Sequence, residues 1–138
     1  MTKKILVVDD DDLIRLTLSK VLTKSGYSPL LASNAKEALE ILAREGDVRV
    51  FILDLMMPVM NGIELCIEIR KRIGAECVIY ALTGHVENYH IEECRLAGFD
   101  DYFAKPFKVA VIVKVVNLAF EKVARWQALD EQTKTSLN

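Results

Sequence analysis

The sequence predicts an α/β protein, a doubly wound parallel β-sheet with helices on both faces. Short β-type runs alternate with helical patterns five times along the chain of 138 residues. Several β-type runs are apolar at consecutive positions, which is typical of strands that are buried on both faces of a parallel sheet. The length suits one ordinary domain.

A change of hydrophobic period marks the first strand and the first helix. Residues 5–8, Ile-Leu-Val-Val, form an apolar run between lysines and aspartates, which predicts a buried strand. The next apolar residues recur at helical spacing and form one stripe: Ile14, Leu18, Val21 and Leu22. Gly26 can close this helix because glycine adopts a left-handed conformation without strain.

The second strand and helix are followed by a third strand. Residues 27–32 predict a weaker second strand. Asn34 with Glu37 three positions later indicates a capping box at the start of a helix, which the next glycine ends. Residues 50–53 are wholly apolar and predict a third buried strand, which stops at an aspartate.

The same alternation continues to the end of the sheet. A helix over residues 63–72 follows the third strand, and residues 78–82 predict the fourth strand. Residues 87–96 predict the fourth helix and residues 101–104 the fifth strand. The last helix is predicted to begin near Lys108.

The last helical pattern continues beyond the alternation of strands and helices. Its inward residues recur at spacings of three and four: Val109, Ile112, Val116, Ala119 and Val123. We expect a folded domain over residues 1–123 and a C-terminal helical extension or tail over residues 124–138. The continuation past Phe120 fits a short coiled-coil stalk. Whether the chain acts alone or belongs to a longer protein stays open.

The composition excludes several classes of function. Lys and Arg number 18 against 20 Asp and Glu, and this net charge of −2 gives no general attraction to nucleic acids or anionic membranes. The longest stretch without a charged residue, 25–35, is shorter than the roughly 20 residues of a membrane span. The three cysteines are odd in number and lack a CxxC spacing, so neither a disulfide scaffold nor a cysteine zinc site is indicated. We expect a cytoplasmic protein that binds neither nucleic acid nor membrane.

Polar residues follow four of the predicted strands: Asp9 and Asp10, Asp54, Thr83 and Lys105. Right-handed crossovers bring the loops after the strands to one sheet edge, where open α/β sheets bind ligands. Two carboxylates ~4 Å apart repel each other by about 4 kcal/mol at an effective dielectric constant of roughly 20. Such a cluster must bind protons or a cation. Carboxylate oxygens favour Mg²⁺ over zinc, with Mn²⁺ as the second candidate.

A lysine and a hydroxyl beside a metal-binding acid cluster form a site for a phosphoryl group. Lys105 can pair with the anion and Thr83 can donate a hydrogen bond to it. A carboxylate in such a site can act as the nucleophile and become an acyl phosphate. Each residue alone also fits a helix cap or a turn. Their joint placement at one edge favours the functional interpretation.

Four motifs in this order resemble the receiver domain of bacterial two-component response regulators. They are Lys4-Ile-Leu-Val-Val-Asp-Asp10, Ile52-Leu-Asp-Leu-Met-Met-Pro58 with Asn61-Gly62, Ala81-Leu-Thr-Gly84 and Tyr102-Phe-Ala-Lys-Pro-Phe107. The resemblance covers about residues 3–122. It implies a flavodoxin-like fold with five parallel strands in the order 2-1-3-4-5, of which receiver domains are a standard example.

The resemblance implies a role for each acidic residue. Asp54 is the expected phosphoacceptor, which takes a phosphoryl group from a phosphohistidine of a histidine kinase or a histidine phosphotransfer protein. Asp10, Asp54 and the backbone carbonyl of Met56 are the expected Mg²⁺ ligands, and Asp9 acts mainly through water. Lys105 is expected to pair with the phosphoryl group.

The resemblance also implies a switch. Thr83 is expected to move toward the phosphoryl group while Tyr102 packs inward, so that phosphorylation shifts a population of conformations. The face of the fourth helix, fifth strand and last helix is expected to contact a partner protein or a fused output domain, and a homodimer is a further expectation. The protein is expected to be no enzyme beyond assisting its own phosphorylation and dephosphorylation. In this family the bond between Lys105 and Pro106 is cis.

Two positions near the acceptor differ from the common family pattern. Met56 has an apolar side chain two residues after Asp54, so that only its carbonyl can help to bind the metal. His85 lies two residues after Thr83 and can alter the access of water to the phosphoryl group. Because these two positions tune the phosphoryl lifetime in the family, the lifetime is not predicted.

Two other functions are weighed against the receiver. A haloacid-dehalogenase-type phosphatase would use Asp9-x-Asp11, Thr83 and the pair Asp100-Asp101. It would leave Asp54 unexplained and needs its lysine before the acid pair. An interaction module on the same fold that works without phosphorylation is the third interpretation, because a fold does not fix a function.

Overall fold

The structure, a computed structural model, describes residues 3–84 and 88–137, and the side chains of residues 88–90 and 135–137 lie outside the description. Five strands and five helices alternate along the described chain. They are β1 (Lys4–Val8), α1 (Asp12–Lys24), β2 (Ser28–Ala32), α2 (Ala35–Glu45), β3 (Val50–Asp54), α3 (Gly62–Ile73), β4 (Val78–Thr83), α4 (Asn88–Ala97), β5 (Asp101–Ala104) and α5 (Val109–Leu137).

The strands form one parallel sheet in the order β2-β1-β3-β4-β5. The predicted fold class and strand order are therefore confirmed. β3 lies at the centre of the sheet, between β1 and β4, and is buried at every position, which explains its unbroken apolar run. β2 lies at the edge and is only partly buried, in agreement with its weaker hydrophobic pattern.

Alternate residues of each strand contact two separate helix layers. In β1, Leu6 and Val8 pack on the side of α2 and α3, whereas Ile5 and Val7 pack on the side of α1 and α5. Successive side chains of a strand point to opposite faces of the sheet, and both sets are buried because a helix layer covers each face. The loops after the strands are thereby fixed at the carboxyl edge by a core on each side.

The helix ends follow local capping chemistry, with one correction. Gly26 adopts a left-handed φ of 94° directly after α1 and its C-cap residue, as predicted. The capping box predicted at α2 is wrong in its second half. The side chain of Asn34 does accept from the Glu37 N–H at 2.8 Å, but the Glu37 carboxylate accepts from the neighbouring Ser33 hydroxyl at 3.1 Å. A complete capping box instead opens α3.

α5 runs without interruption through the predicted boundary between residues 123 and 124. Val123 is buried and Trp126 packs partly against the α1–α5 side of the core. The chain beyond residue 123 is therefore helical as far as the structure describes it. Among the described residues, no helix is both long and apolar enough to span a membrane.

Candidate functional site

Two buried aspartates stand where neighbouring central strands end. Asp54 is the last residue of β3, and Asp9 follows β1 directly. The N–H of Asp9 donates to the Ala32 carbonyl at 3.1 Å, which continues the pairing of β1 with β2 by one residue. The exposed fractions of Asp9 and Asp54 are 0% and 3%. The sheet thus holds two carboxylates inside the protein at the predicted edge.

A third acid completes a compact cluster. One carboxylate oxygen from each of Asp9, Asp10 and Asp54 lies within 4.8 Å of the other two. Asp10 is exposed, so the cluster opens to solvent on its side. The side chain of Asp11, the next residue, accepts from the N–H groups of Leu13 and Ile14 and thereby caps α1. Of this acidic run, Asp9 and Asp10 therefore belong to the site.

Lys105 bridges the two buried acids. Its Nζ lies 2.9 Å from Asp9 Oδ2 and 3.3 Å from Asp54 Oδ1. The backbone brings it there, because the Lys105 N–H donates to the Thr83 carbonyl at 2.7 Å. The bond from Lys105 to Pro106 is cis, as the family resemblance implied. The ammonium is thus already within reach of a group attached to Asp54.

The electrostatics of the cluster follow from burial and mutual repulsion. Burial and the neighbouring Asp9 charge raise the pKa of Asp54 to about 6, against the lowering influence of Lys105. Burial lowers the pKa of Lys105, but its contact with Asp9 and the charges of Asp54 and Asp9 outweigh this, so that its net pKa is raised. The lysine therefore stays charged at neutral pH, while most of the Asp54 carboxyl groups are ionised.

The cluster suits a divalent cation. One ammonium faces three carboxylates, so negative charge is left over. Asp9 Oδ2 is completely buried, and its contact among the described residues is the ion pair with the Lys105 ammonium at 2.9 Å. A set of hard oxygen ligands with one solvent-facing side fits Mg²⁺, which keeps part of its water shell.

The loop after β3 shapes the other side of the site. The Met56 N–H donates to Asp54 Oδ1 at 3.2 Å, while the Met56 side chain is exposed. Gly62 then passes the strand end so closely that a Cβ atom would overlap the backbone carbonyl of Asp54. Its N–H donates to the Leu55 carbonyl at 3.1 Å. The glycine is required by this close approach.

The two expected switch residues lie on the neighbouring strands. Thr83 is buried at the end of β4, one position beyond the residue that pairs with Asp54. Tyr102 on β5 is half-buried and packs against a small cluster that includes Ala81 and Cys94. Both residues are thus near the carboxyl edge. His85 lies outside the described residues.

The structure separates the residues that the phosphatase interpretation needs. Asp100 precedes β5, and its carboxylate accepts from the Ile79 N–H at 2.7 Å and from Arg70 at 2.9 Å, near the amino end of β4. Asp101 pairs in register with Tyr80. Asp100 therefore lies toward the amino end of β4, away from Asp9 and Thr83, and Asp101 is level with Ile52 in the middle of β3.

Sequence reasoning missed one charged residue beside the cluster. Arg15 Nη1 donates to the Asp9 carbonyl at 2.6 Å. Its position three residues after Asp12 indicates an ordinary helix ion pair, which also forms. The contact with a backbone carbonyl depends on how the turn is oriented, and no sequence pattern reports that.

Comparison with known proteins gives a consistent result. The sequence matches the response regulator receiver domain family over residues 5–117. It is 37% identical over 137 residues to the uncharacterized transcriptional regulatory protein YrkP of Bacillus subtilis, covering 99% of this chain and 58% of that protein. It is 36% identical over 133 residues to the response regulator MprA of Mycolicibacterium vanbaalenii, covering 96% of this chain and 52% of that protein.

Solved structures agree with the sequence comparison. The chemotaxis protein CheY4 of Vibrio cholerae superposes with a TM-score of 0.80 at 28% identity, over 86% of this chain and 99% of that one. A CheY-like receiver domain protein of Methanospirillum hungatei gives a TM-score of 0.79 at 27% identity, over 98% and 99% of the two chains. The chain spans about half the length of the curated relatives it matches. It belongs to the response regulator receiver domain family of two-component systems.

Proposed function

We propose that Asp54 accepts a phosphoryl group from a phosphohistidine of a histidine kinase or a histidine phosphotransfer protein. The observation that carries this proposal is the position of Lys105 Nζ, 3.3 Å from Asp54 Oδ1 in a cluster of three carboxylates. A nucleophilic carboxylate, a fixed ammonium and spare oxygen ligands for Mg²⁺ are the components that phosphoryl transfer needs.

The reaction forms one bond and breaks one. An ionised Asp54 oxygen attacks phosphorus, the bond from phosphorus to the donor imidazole nitrogen breaks, and this nitrogen takes up a proton. The product is an acyl phosphate on Asp54. Since the pKa of Asp54 is raised to about 6, the carboxylate needed for attack predominates at neutral pH.

The residues around Asp54 contribute in different ways. Lys105 pairs with the negative charge of the arriving phosphoryl group. The Met56 N–H donates to Asp54 Oδ1, the same oxygen that Lys105 approaches, so neither of these two contacts involves Oδ2. Asp10, Asp54 and the Met56 carbonyl would hold Mg²⁺ directly, and Asp9 would hold it mainly through water. The cation would neutralise negative charge on the phosphoryl oxygens during the transfer of the phosphoryl group.

The consequence of phosphorylation is a shift between two arrangements. We propose that Thr83 hydrogen-bonds to the phosphoryl group and that Tyr102 then packs deeper into its cluster with Ala81. The phosphoryl group shifts the population only if it binds the second arrangement more tightly. The affected face, α4, β5 and α5, would act on a partner protein or a fused output domain. The name of one relative, a transcriptional regulatory protein, supports a regulatory output.

Small phosphodonors test the proposal without a partner kinase. After incubation with acetyl phosphate and Mg²⁺, intact-protein mass spectrometry is expected to find a mass gain of one phosphoryl group. Asp54→Asn is expected to abolish the gain, whereas the matched control Asp130→Asn on the distal part of α5 keeps it. A gain that persists in Asp54→Asn would contradict the assignment. Continued release of phosphate over many turnovers by Asp54→Asn would favour a phosphatase, which does not need Asp54, and no gain in any variant would favour an interaction module.

A further inference from the structure

The turn between β1 and α1 carries Asp9 and Asp10, and one side chain from α1 reaches back to hold it. Arg15 Nη1 donates to the backbone carbonyl of Asp9 at 2.6 Å, and its Nη2 contacts the carboxylate of Asp12. The Arg15 side chain is only 18% exposed, whereas that of Asp12 is 92% exposed. The guanidinium is therefore packed against the turn.

This turn needs support because it concentrates negative charge. Four aspartates follow one another in the sequence, and two of them enter the cluster with Asp54. Repulsion among these carboxylates favours an open turn in the absence of a cation. Besides its ion pair with Lys105, three hydrogen bonds fix Asp9: its N–H donates to Ala32, its Oδ1 accepts from the Asp11 N–H at 2.9 Å, and its carbonyl accepts from Arg15.

We propose that Arg15 is a positioning residue, which holds the turn between β1 and α1 so that Asp9 and Asp10 face Asp54 before Mg²⁺ binds. A charge-assisted hydrogen bond to the Asp9 carbonyl fixes the peptide that joins the two acids. The inference deepens the proposed function, on which its metal-binding part rests. Arg15 acts through the backbone and does not touch the reacting atoms.

Because Arg15 is positively charged, the direction of the change in Mg²⁺ affinity on its removal tests the inference. A cation near the cluster repels Mg²⁺, so its loss by itself would tighten metal binding. Loss of a positioning contact in the outer shell of a metal site instead weakens binding, by about 10- to 100-fold. The exposed ion pair with Asp12 is worth little in either case. The two roles therefore predict opposite changes in the affinity for Mg²⁺.

The experiment compares Arg15→Met with the wild-type protein and with the control Lys20→Met, which removes an exposed cation from the same helix. Titration calorimetry with Mg²⁺ alone is expected to give at least about tenfold weaker binding for Arg15→Met and an unchanged affinity for Lys20→Met. In the metal-free proteins, hydrogen exchange of the Asp11 N–H, which reports the contact with Asp9 Oδ1, is expected to be at least about tenfold faster in Arg15→Met.

Unchanged or tighter Mg²⁺ binding by Arg15→Met would overturn the inference, and so would unchanged exchange of the Asp11 N–H. If wild-type protein binds no Mg²⁺, the proposed function fails, while the exchange measurement still decides whether Arg15 holds the turn. If Arg15→Met does not fold, Arg15→Lys replaces it in both measurements. Lysine keeps the charge but cannot hold the carbonyl and Asp12 together, so a smaller change in the same direction is expected.

Discussion

At the residue scale, Asp54 combines two properties that oppose each other. Its nearly complete burial and the adjacent Asp9 make its ionised form costly, and Lys105 offsets only part of this cost. The same arrangement prepares the site for its ligands. The carboxylates would bind a cation, and the Lys105 ammonium would pair with a phosphoryl group. The acceptor is thus held ready at the expense of stability.

The pH dependence of stability follows from the raised pKa of Asp54. Its ordinary value is 3.8 and its folded value is about 6. The protonated group favours the folded state, and this advantage is present below pH 3.8 and is lost as the pH rises through 6. We expect metal-free Asp54→Asn to be more stable than wild type at pH 8, by up to about 3 kcal/mol.

Urea unfolding at pH 8 and at pH 4 measures this difference. The advantage of Asp54→Asn is expected to shrink toward zero at the lower pH, because Asp54 is then largely protonated in the folded protein. Asp130→Asn is the control and is expected to match wild type at both values. An advantage of Asp54→Asn that is equal at both pH values would show that ionisation is not its cause.

Val59 in the loop after Asp54 adopts a left-handed conformation that disfavours a β-branched residue. Its φ is 69° and its side chain is fully exposed, so that no packing compensates for the strain. We expect Val59→Gly to raise the free energy of unfolding by about 1 kcal/mol, since glycine has no Cβ to clash. Val59→Ala keeps the Cβ and serves as the control. Equal effects of the two substitutions in thermal unfolding would argue against backbone strain.

At the scale of elements, the site depends on how closely α3 approaches the end of β3. Gly62 starts α3 beside the carbonyl of Asp54, and no side chain fits there. We expect Gly62→Ala to lower the free energy of unfolding by about 2 kcal/mol or more, because backbone atoms must move apart. Gly84→Ala is the matched control, since among the described residues no atom lies within 4 Å of the position of its Cβ. A Gly62→Ala protein as stable as Gly84→Ala in chemical unfolding would refute the close approach.

The buried strands and the helix caps differ in how well the sequence predicts them. Residues 5–8 and 50–53 identify buried strands because an unbroken apolar run of four residues, within an alternating α/β pattern, is typical of a strand covered on both faces. The capping boxes are predicted less well. Asn34 and Asn61 are both followed by a glutamate three residues later, but only Glu64 turns back to its cap. Glu37 finds the Ser33 hydroxyl instead, and such a choice of rotamer depends on atoms in three dimensions.

At the scale of the whole molecule, two features could not be predicted from the sequence. The contact of Arg15 with the Asp9 carbonyl depends on the orientation of a turn. The length of α5 is equally hidden, because a polar segment such as residues 127–137 is as typical of a tail as of a helix. By contrast, the meeting of Asp9, Asp10, Asp54 and Lys105 at one edge follows from parallel strands with right-handed connections.

Binding of a cation to the folded state must stabilise the whole domain. At a Mg²⁺ concentration of about 100 times the dissociation constant, the free energy of unfolding is expected to rise by about 2.7 kcal/mol. Thermal unfolding at constant ionic strength measures this gain. Asp10→Ala, which lacks one exposed ligand of the cluster, is expected to need far more Mg²⁺ for the same gain, while Asp130→Asn behaves like wild type. Equal gains in Asp10→Ala and wild type would place the cation elsewhere.

The most direct test of the central claim locates the phosphoryl group on the chain. An acyl phosphate on an aspartate is reduced by borohydride to homoserine, and peptide mass spectrometry identifies the residue that was changed. After incubation with a phosphodonor and Mg²⁺, we expect homoserine at position 54 and at no other aspartate. Modification of Asp9, Asp10 or a histidine, with Asp54 intact, would contradict the account.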